Sequence, residues 1–175
     1  GAGGPISLMF IQLLLRSGAG RVIAVGHSST RLDVAKKIGA THLVNAKEVD
    51  TIAAVRELTD GYGADVVIEC AGTRQTWETS VDIVRKGGRV LWFGGLPGGT
   101  RVEFDAARVH YGEIDLLNMH GGTVGNAQEA FDLIVSGAVN VAPMLNGELP
   151  LEKVELALKK MIAGDVVKMV INPES

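Results

Sequence analysis

The chain has 175 residues, 46% of them hydrophobic and 21% charged, which suits one ordinary domain with a sizeable core and argues against disorder. A net charge of −3 and a pI of about 5.8 lack the basic surplus that nucleic-acid or anionic-membrane partners need. The single cysteine, Cys70, excludes an internal disulfide and a four-cysteine zinc site.

The chain opens on GAGGPIS, residues 1–7, and runs directly into an amphipathic stretch expected to be a helix over 6–17. Glycines there permit a tight turn and let backbone amides approach a pyrophosphate, and a helix N-terminus adds favourable potential for the anion. Pro5 suits an early helical position, where its missing N–H costs nothing. The match to G-x-G-x-x-G is imperfect: from Gly1 the third position is Ile6, whereas taking Ser7 as the third makes Ala2 the first. The second register keeps small residues at the crowded places and is preferred. The apolar run 8–15 contains Gln12 and ends at Arg16, too short to span a bilayer. No basic segment precedes it and no clean cleavage site follows, so a signal peptide is disfavoured and the cytoplasm is the expected compartment.

Farther along, residues 21–25 read as a buried strand and 30–38 as a helix. A short strand at 42–45, a helix at 48–58 and a strand at 65–69 follow. A helix at 76–85 precedes a strand at 89–93, with a further strand at 114–119. Apolar strands alternating with amphipathic helices predict a doubly wound, Rossmann-type parallel sheet. Beyond about Gly121 the rhythm changes to a helix at 126–135, a Pro/Gly-containing link at 143–150, a helix at 151–162 and a strand at 166–171. The expected partition is a dinucleotide-binding domain at 1–120 and an appended C-terminal segment at 121–175. No strand precedes the glycine loop, although the first strand of such a sheet is central. Its removal would leave two half-sheets with unpaired inner edges, so the chain is expected to be a fragment or to receive that strand from elsewhere.

These residues resemble the coenzyme domain of zinc-type medium-chain dehydrogenases, especially the polyol, sorbitol-like branch. The resemblance rests on PISL at 5–8, GAGRVI at 18–23, RL at 31–32 and AKKIGA at 35–40. It continues in GADVVIECAG at 63–72, GGRV at 87–90, GLPGG at 95–99, His110-Tyr111 with Glu113, and GGT at 121–123. It implies an oxidoreductase that moves hydride between a nicotinamide cofactor and a small alcohol or polyol, assembled as a homodimer or homotetramer. It also implies a GroES-like catalytic domain that holds zinc. That domain is not recognisable in these residues, so the chain alone is expected to be inactive, with no catalytic or metal residue of its own. The tail from about Gly121 resembles the segment that returns to the catalytic domain.

By the same resemblance, Gly3, Gly4, Pro5, Ile6 and Ser7 cradle the pyrophosphate. Gly26, His27, Ser28 and Arg31 face the adenosine ribose. Relatives that prefer NAD place a carboxylate where Gly26 stands. Its absence, with hydroxyls and a guanidinium nearby, favours NADP(H) over NAD. Against this, Arg31 also resembles a basic residue kept by NAD-specific relatives. Cys70, Ala71 and Gly72 end one strand, and Gly94, Gly95 and Leu96 end the next, facing the nicotinamide. Asn118 and His120 resemble positions that meet the carboxamide, and Lys168 one that reaches the pyrophosphate.

Blander readings stand beside these. Cys70 as a small buried hydrophobe outweighs a reactive thiol. His120 suits packing better than zinc, and Lys168 could be a solvated strand-end charge. Asp65 and Glu69 alternate along a strand, so at least one is structural, and Trp77 and Trp92 read as core or rim. A zinc-free quinone-reductase-like enzyme and a non-catalytic dinucleotide-binding module are the alternative functions. An adenosylmethionine-dependent methyltransferase is disfavoured because Gly26 is not acidic.

Overall fold

The computed structural model describes residues 1–174. In chain order the helices are α1 (Pro5–Arg16), α2 (Ser29–Lys37), α3 (Thr51–Glu57), α4 (Arg74–Ile83), α5 (Ala106–Tyr111), α6 (Val124–Val135) and α7 (Val154–Ala163). The strands are β1 (Ile23–Gly26), β2 (His42–Asn45), β3 (Ala64–Glu69), β4 (Val84–Trp92), β5 (Asp115–Asn118), β6 (Leu145–Pro150) and β7 (Lys168–Asn172). Every strand pairing is parallel: β1 with β2, β3 with β4, β4 with β5, and β6 with β7.

Strands expected to belong to one doubly wound sheet fall into two separate parallel pieces, β1-β2 and β3-β4-β5. The β3 edge away from β4 has no strand partner among the described residues. Both pieces are parallel, as expected of the doubly wound α/β class.

The chain divides into two compact units. One comprises Gly1 with residues 46–121; the other comprises residues 2–45 with those from Gly122 onward. The first is built on β3-β4-β5, with Val81, Val84, Val90, Trp92 and Ile114 as its buried cluster. The second carries β1-β2 and β6-β7, around Leu8, Ile11, Ala24, Leu32, Ala35, Met144 and Val167.

Local chemistry explains the element boundaries. Ser28, Asp50, Thr73 and Thr123 each cap a helix by accepting from a backbone N–H in its first turn. Thr73 and Thr76 cap reciprocally, so α4 begins two residues before the predicted helix. It stops at Ile83 because Val84 is already extended. Arg85, predicted to be helical, instead lies in β4 and pairs with Asp65 at 2.7 Å.

Two elements differ from the sequence reading. The 143–150 link contains β6, paired with β7 and anchored where Asn146 Oδ1 accepts from the Val167 amide at 2.7 Å. The short helix α5, capped by Asp105, was not anticipated. Both are brief and lie among Pro, Gly and charged residues, where periodicity carries little signal.

Candidate functional site

The glycine loop belongs to the second unit. The Ala2 amide donates to Val25 O at 2.7 Å, which brings the start of α1 against the C-terminal end of β1. Gly3 turns the chain with a φ of +106° and Gly4 is the N-cap, with Pro5 following in the first turn. Among the described residues no side chain caps α1 and its first turn holds no acid, so the positive end of this 12-residue helix is uncompensated there. Ser7 is buried; its hydroxyl donates to Gly4 O at 2.8 Å and accepts from the Gly3 amide at 3.1 Å. It therefore holds the loop in shape, which is what the third small residue of such a loop must do. Ile6 is exposed on the first turn.

Beside the loop, β1 ends at Gly26. A Cβ there would sit 2.5 Å from Ala2 O, so any side chain would drive the glycine loop away. The missing carboxylate is thus a packing requirement. His27 is exposed, and Ser28 caps α2 by accepting from the Arg31 amide at 3.4 Å.

Arg31 is committed more heavily than its sequence position suggested. Its Nη2 donates to Met161 O at 2.7 Å and Val166 O at 2.8 Å, and its Nε donates to Val166 O at 3.3 Å. It therefore ties the end of α7 and the approach to β7. Its Nη1 has no hydrogen-bond partner among the described residues, and this group remains available to a ligand. Lys168 is exposed at the start of β7.

The first unit holds the other expected residues at the C-terminal ends of β3, β4 and β5. Cys70 is half-buried, and burial, only partly offset by the positive Gly1 amino group, pushes its thiol up to about 11. Glu69 was not assigned a site role from sequence. It is only 4% exposed, and its carboxylate accepts from the Ala71 amide at 2.6 Å and the Gly72 amide at 3.1 Å. Its carbonyl accepts from the Phe93 and Gly94 amides, both at 2.9 Å. One residue thus shapes the loop after β3 and bonds the end of β4. The available signal was an acid placed last in an apolar strand, immediately before Cys-Ala-Gly.

Gly72 and Gly94 allow these loops to touch: a Cβ on Gly94 would lie 2.5 Å from the Gly72 amide nitrogen and 2.7 Å from Glu69 Oε2. A Cβ on Gly95 would meet nothing within 4 Å, leaving that face open. Asn118 ends β5 and His120 follows it, both exposed. Asp65, on the same strand as Glu69, is exposed and paired with Arg85.

The family model for zinc-binding dehydrogenases matches residues 5–136, three quarters of the chain. The chain belongs to the zinc-binding dehydrogenase family. It is 30% identical over 172 residues to a sorbitol dehydrogenase of Halalkalibacterium halodurans, covering 97% of this chain and 50% of the relative. It is 33% identical to the probable D-xylulose reductase A of Aspergillus clavatus, covering 96% of this chain and 48% of that protein. A zinc-binding dehydrogenase structure from Sinorhizobium meliloti, solved with NADP bound, superposes with a TM-score of 0.90 at 29% identity, covering 98% of this chain and 50% of that one. The benzyl alcohol dehydrogenase structure of Acinetobacter calcoaceticus gives 0.90 at 25% identity, covering 97% of this chain and 47% of that one.

The chain of this family member therefore spans about half the length of the curated relatives it matches. Its fold is that of the α/β coenzyme-binding part of these dehydrogenases. Among the described residues no group of three or more His, Cys, Asp or Glu side chains could hold a metal ion, so the residues at hand do not fit zinc. Nor is any described helix long and apolar enough to cross a membrane.

Proposed function

We propose that this chain binds a nicotinamide dinucleotide, with NADP(H) preferred over NAD(H), as the coenzyme-binding part of an alcohol or polyol dehydrogenase. The observation that carries this reading is the uncapped N-terminus of α1 held against the end of β1 by the Ala2–Val25 hydrogen bond. The pyrophosphate lies on Gly3, Gly4, Pro5, Ile6 and Ser7, with Lys168 supplying a further positive charge. The adenosine ribose lies near Gly26, His27, Ser28 and Arg31. The nicotinamide end lies on Cys70, Ala71, Gly72, Gly94, Gly95 and Leu96, with Asn118 and His120 toward the carboxamide.

NADP(H) is favoured because Gly26 offers no carboxylate to repel a 2′-phosphate, while Ser28 and the remaining donor of Arg31 can meet one. The NADP-bound Sinorhizobium meliloti relative supports this direction. When bound, the nicotinamide accepts or gives hydride, and the protein supplies binding and orientation. Residues 1–120 are read as the dinucleotide-binding domain and 121–175 as the segment that joins it to catalytic residues. The substrate class is an alcohol or polyol, as the names of the sorbitol dehydrogenase and xylulose reductase relatives suggest.

Side-by-side calorimetric titration with NADPH and NADH tests the proposal. Tighter binding of NADPH is expected. Preference for NADH removes the NADP assignment, and a folded protein that binds neither removes the dinucleotide reading.

A further inference from the structure

We propose that Trp77 is a positioning residue for the nicotinamide: its indole orients the Gly94–Gly95 peptide so that the Gly95 amide is presented to the cofactor. The inference rests on the reading above that Gly94, Gly95 and Leu96 face the nicotinamide. Trp77 lies in α4, and its Nε1–H donates to Gly94 O at 2.8 Å. The Gly94 amide is held separately, donating to Glu69 O at 2.9 Å. Gly94 is therefore bonded through both of its backbone polar groups.

The consequence follows from peptide geometry. In a trans peptide, a carbonyl and the next N–H point to opposite sides. With the Gly94 carbonyl turned toward the indole, the Gly95 N–H must point the other way. That amide has no hydrogen-bond partner among the described residues, and a Cβ on Gly95 would meet only open space. The result is a pre-aimed donor on a free backbone face, suited to an amide oxygen.

The indole itself has little freedom. It stacks on Trp92 with ring centroids 4.3 Å apart and planes within 5°. Trp92 stacks in turn on Phe104 at 5.4 Å and donates from Nε1 to Ser80 Oγ at 2.9 Å. The Ser80 hydroxyl donates back to Trp77 O at 2.5 Å. A flexible glycine pair thus takes its orientation from a rigid aromatic stack.

The test compares two probes on the full chain: NADPH and 2′-phospho-ADP-ribose, which lacks the nicotinamide. If NADH proves the tighter ligand, NADH and ADP-ribose replace them. Trp77→Phe keeps an aromatic ring for the stack and removes the donor. It is expected to weaken NADPH about three- to tenfold, the scale of one hydrogen bond, while changing 2′-phospho-ADP-ribose by less than about twofold. Equal loss for both probes, or no loss for either, overturns the proposal. Independently of any variant, the wild-type Gly95 amide resonance should shift on adding NADPH and stay in place with 2′-phospho-ADP-ribose. An unmoved Gly95 amide under saturating NADPH also overturns it. Should the wild type bind the phospho-ADP-ribose but gain nothing from the nicotinamide, the positioning role fails while the dinucleotide loop stands. Binding of neither probe removes both.

Discussion

At the residue scale, Cys70 shows how environment decides what a side chain can do. It ends a strand at the expected switch point, where a reactive thiol would be conspicuous, yet burial raises it from 9.0 to about 11. At pH 8 only roughly one thiol in a thousand is then ionised. Alkylation by iodoacetamide should be slow at that pH and rise about tenfold per unit up to pH 10 or so, following the thiolate fraction. A rate curve that levels off below pH 9 would mean the thiol is open to water. The folded state holds its proton longer than the unfolded state, so the Cys70 contribution is complete below about pH 8 and falls as pH rises toward the folded value. The melting-temperature difference between wild type and Cys70→Ser should therefore shrink or reverse between pH 8 and 10. Gly26 and Glu69 carry the same lesson without titration. Gly26 was legible as a missing acid, but the reason for it, the Ala2 carbonyl where a Cβ would stand, is a contact 24 residues away in sequence. Glu69 was visible as a strand-end acid, while its role depends on the loop folding back onto it.

At the scale of elements, helix ends are closed by arginines from distant parts of the chain. The last carbonyls of a helix have no partners of their own. Arg108 supplies donors to Val81 O, Asp82 O and Val84 O at the end of α4, and Arg31 does the same for Met161 O and Val166 O after 130 residues of chain. Charge-assisted bonds of this kind each contribute about 1.5–3 kcal/mol, so Arg31→Met should destabilise the protein by about 2 kcal/mol after partial relaxation. Amide exchange should accelerate first between residues 161 and 168. Unchanged exchange there, with normal melting, would mean that these carbonyls find other partners. Such ties explain what the sequence made legible. Among the described elements, six of the seven helices and six of the seven strands follow from apolar period, because burial on one face leaves a local trace. The Ser28 and Thr73 caps set where α2 and α4 begin, and the apolar period alone places the start of α4 two residues late. The strand β6 leaves no such trace, since Leu145–Pro150 is largely exposed and its order comes from Asn146 and from pairing with β7. The arginine partners are likewise invisible until the chain is folded.

At the scale of the whole molecule, the sheet edges bear on assembly. β5 pairs with β4 on one side and has no partner on the other among the described residues. Its sequence, DLLN, places no lysine or proline on that edge, the usual guards against unwanted pairing. Leu117 is 46% exposed and Met119 57%, so apolar surface accompanies the unpaired backbone. An edge of this kind is stable in water when a second copy completes it. A two-fold axis would then bring the two β5 strands together antiparallel and extend the sheet. Four residues are too few to hold such a pair alone, because a stable interface buries about 800 Å² on each partner, so neighbouring surface must contribute. The protein should accordingly run as a dimer or tetramer in size-exclusion chromatography with light scattering at about 10 μM, within the range of ordinary interface affinities. Leu117→Lys puts a charge on the exposed edge and should shift the population toward monomer. Because Leu117 is already half in water, the fold should survive, and an unchanged circular dichroism spectrum checks this. A wild type that is strictly monomeric at that concentration, or a Leu117→Lys variant that assembles as fully as wild type, would show that the β5 edge is not the contact.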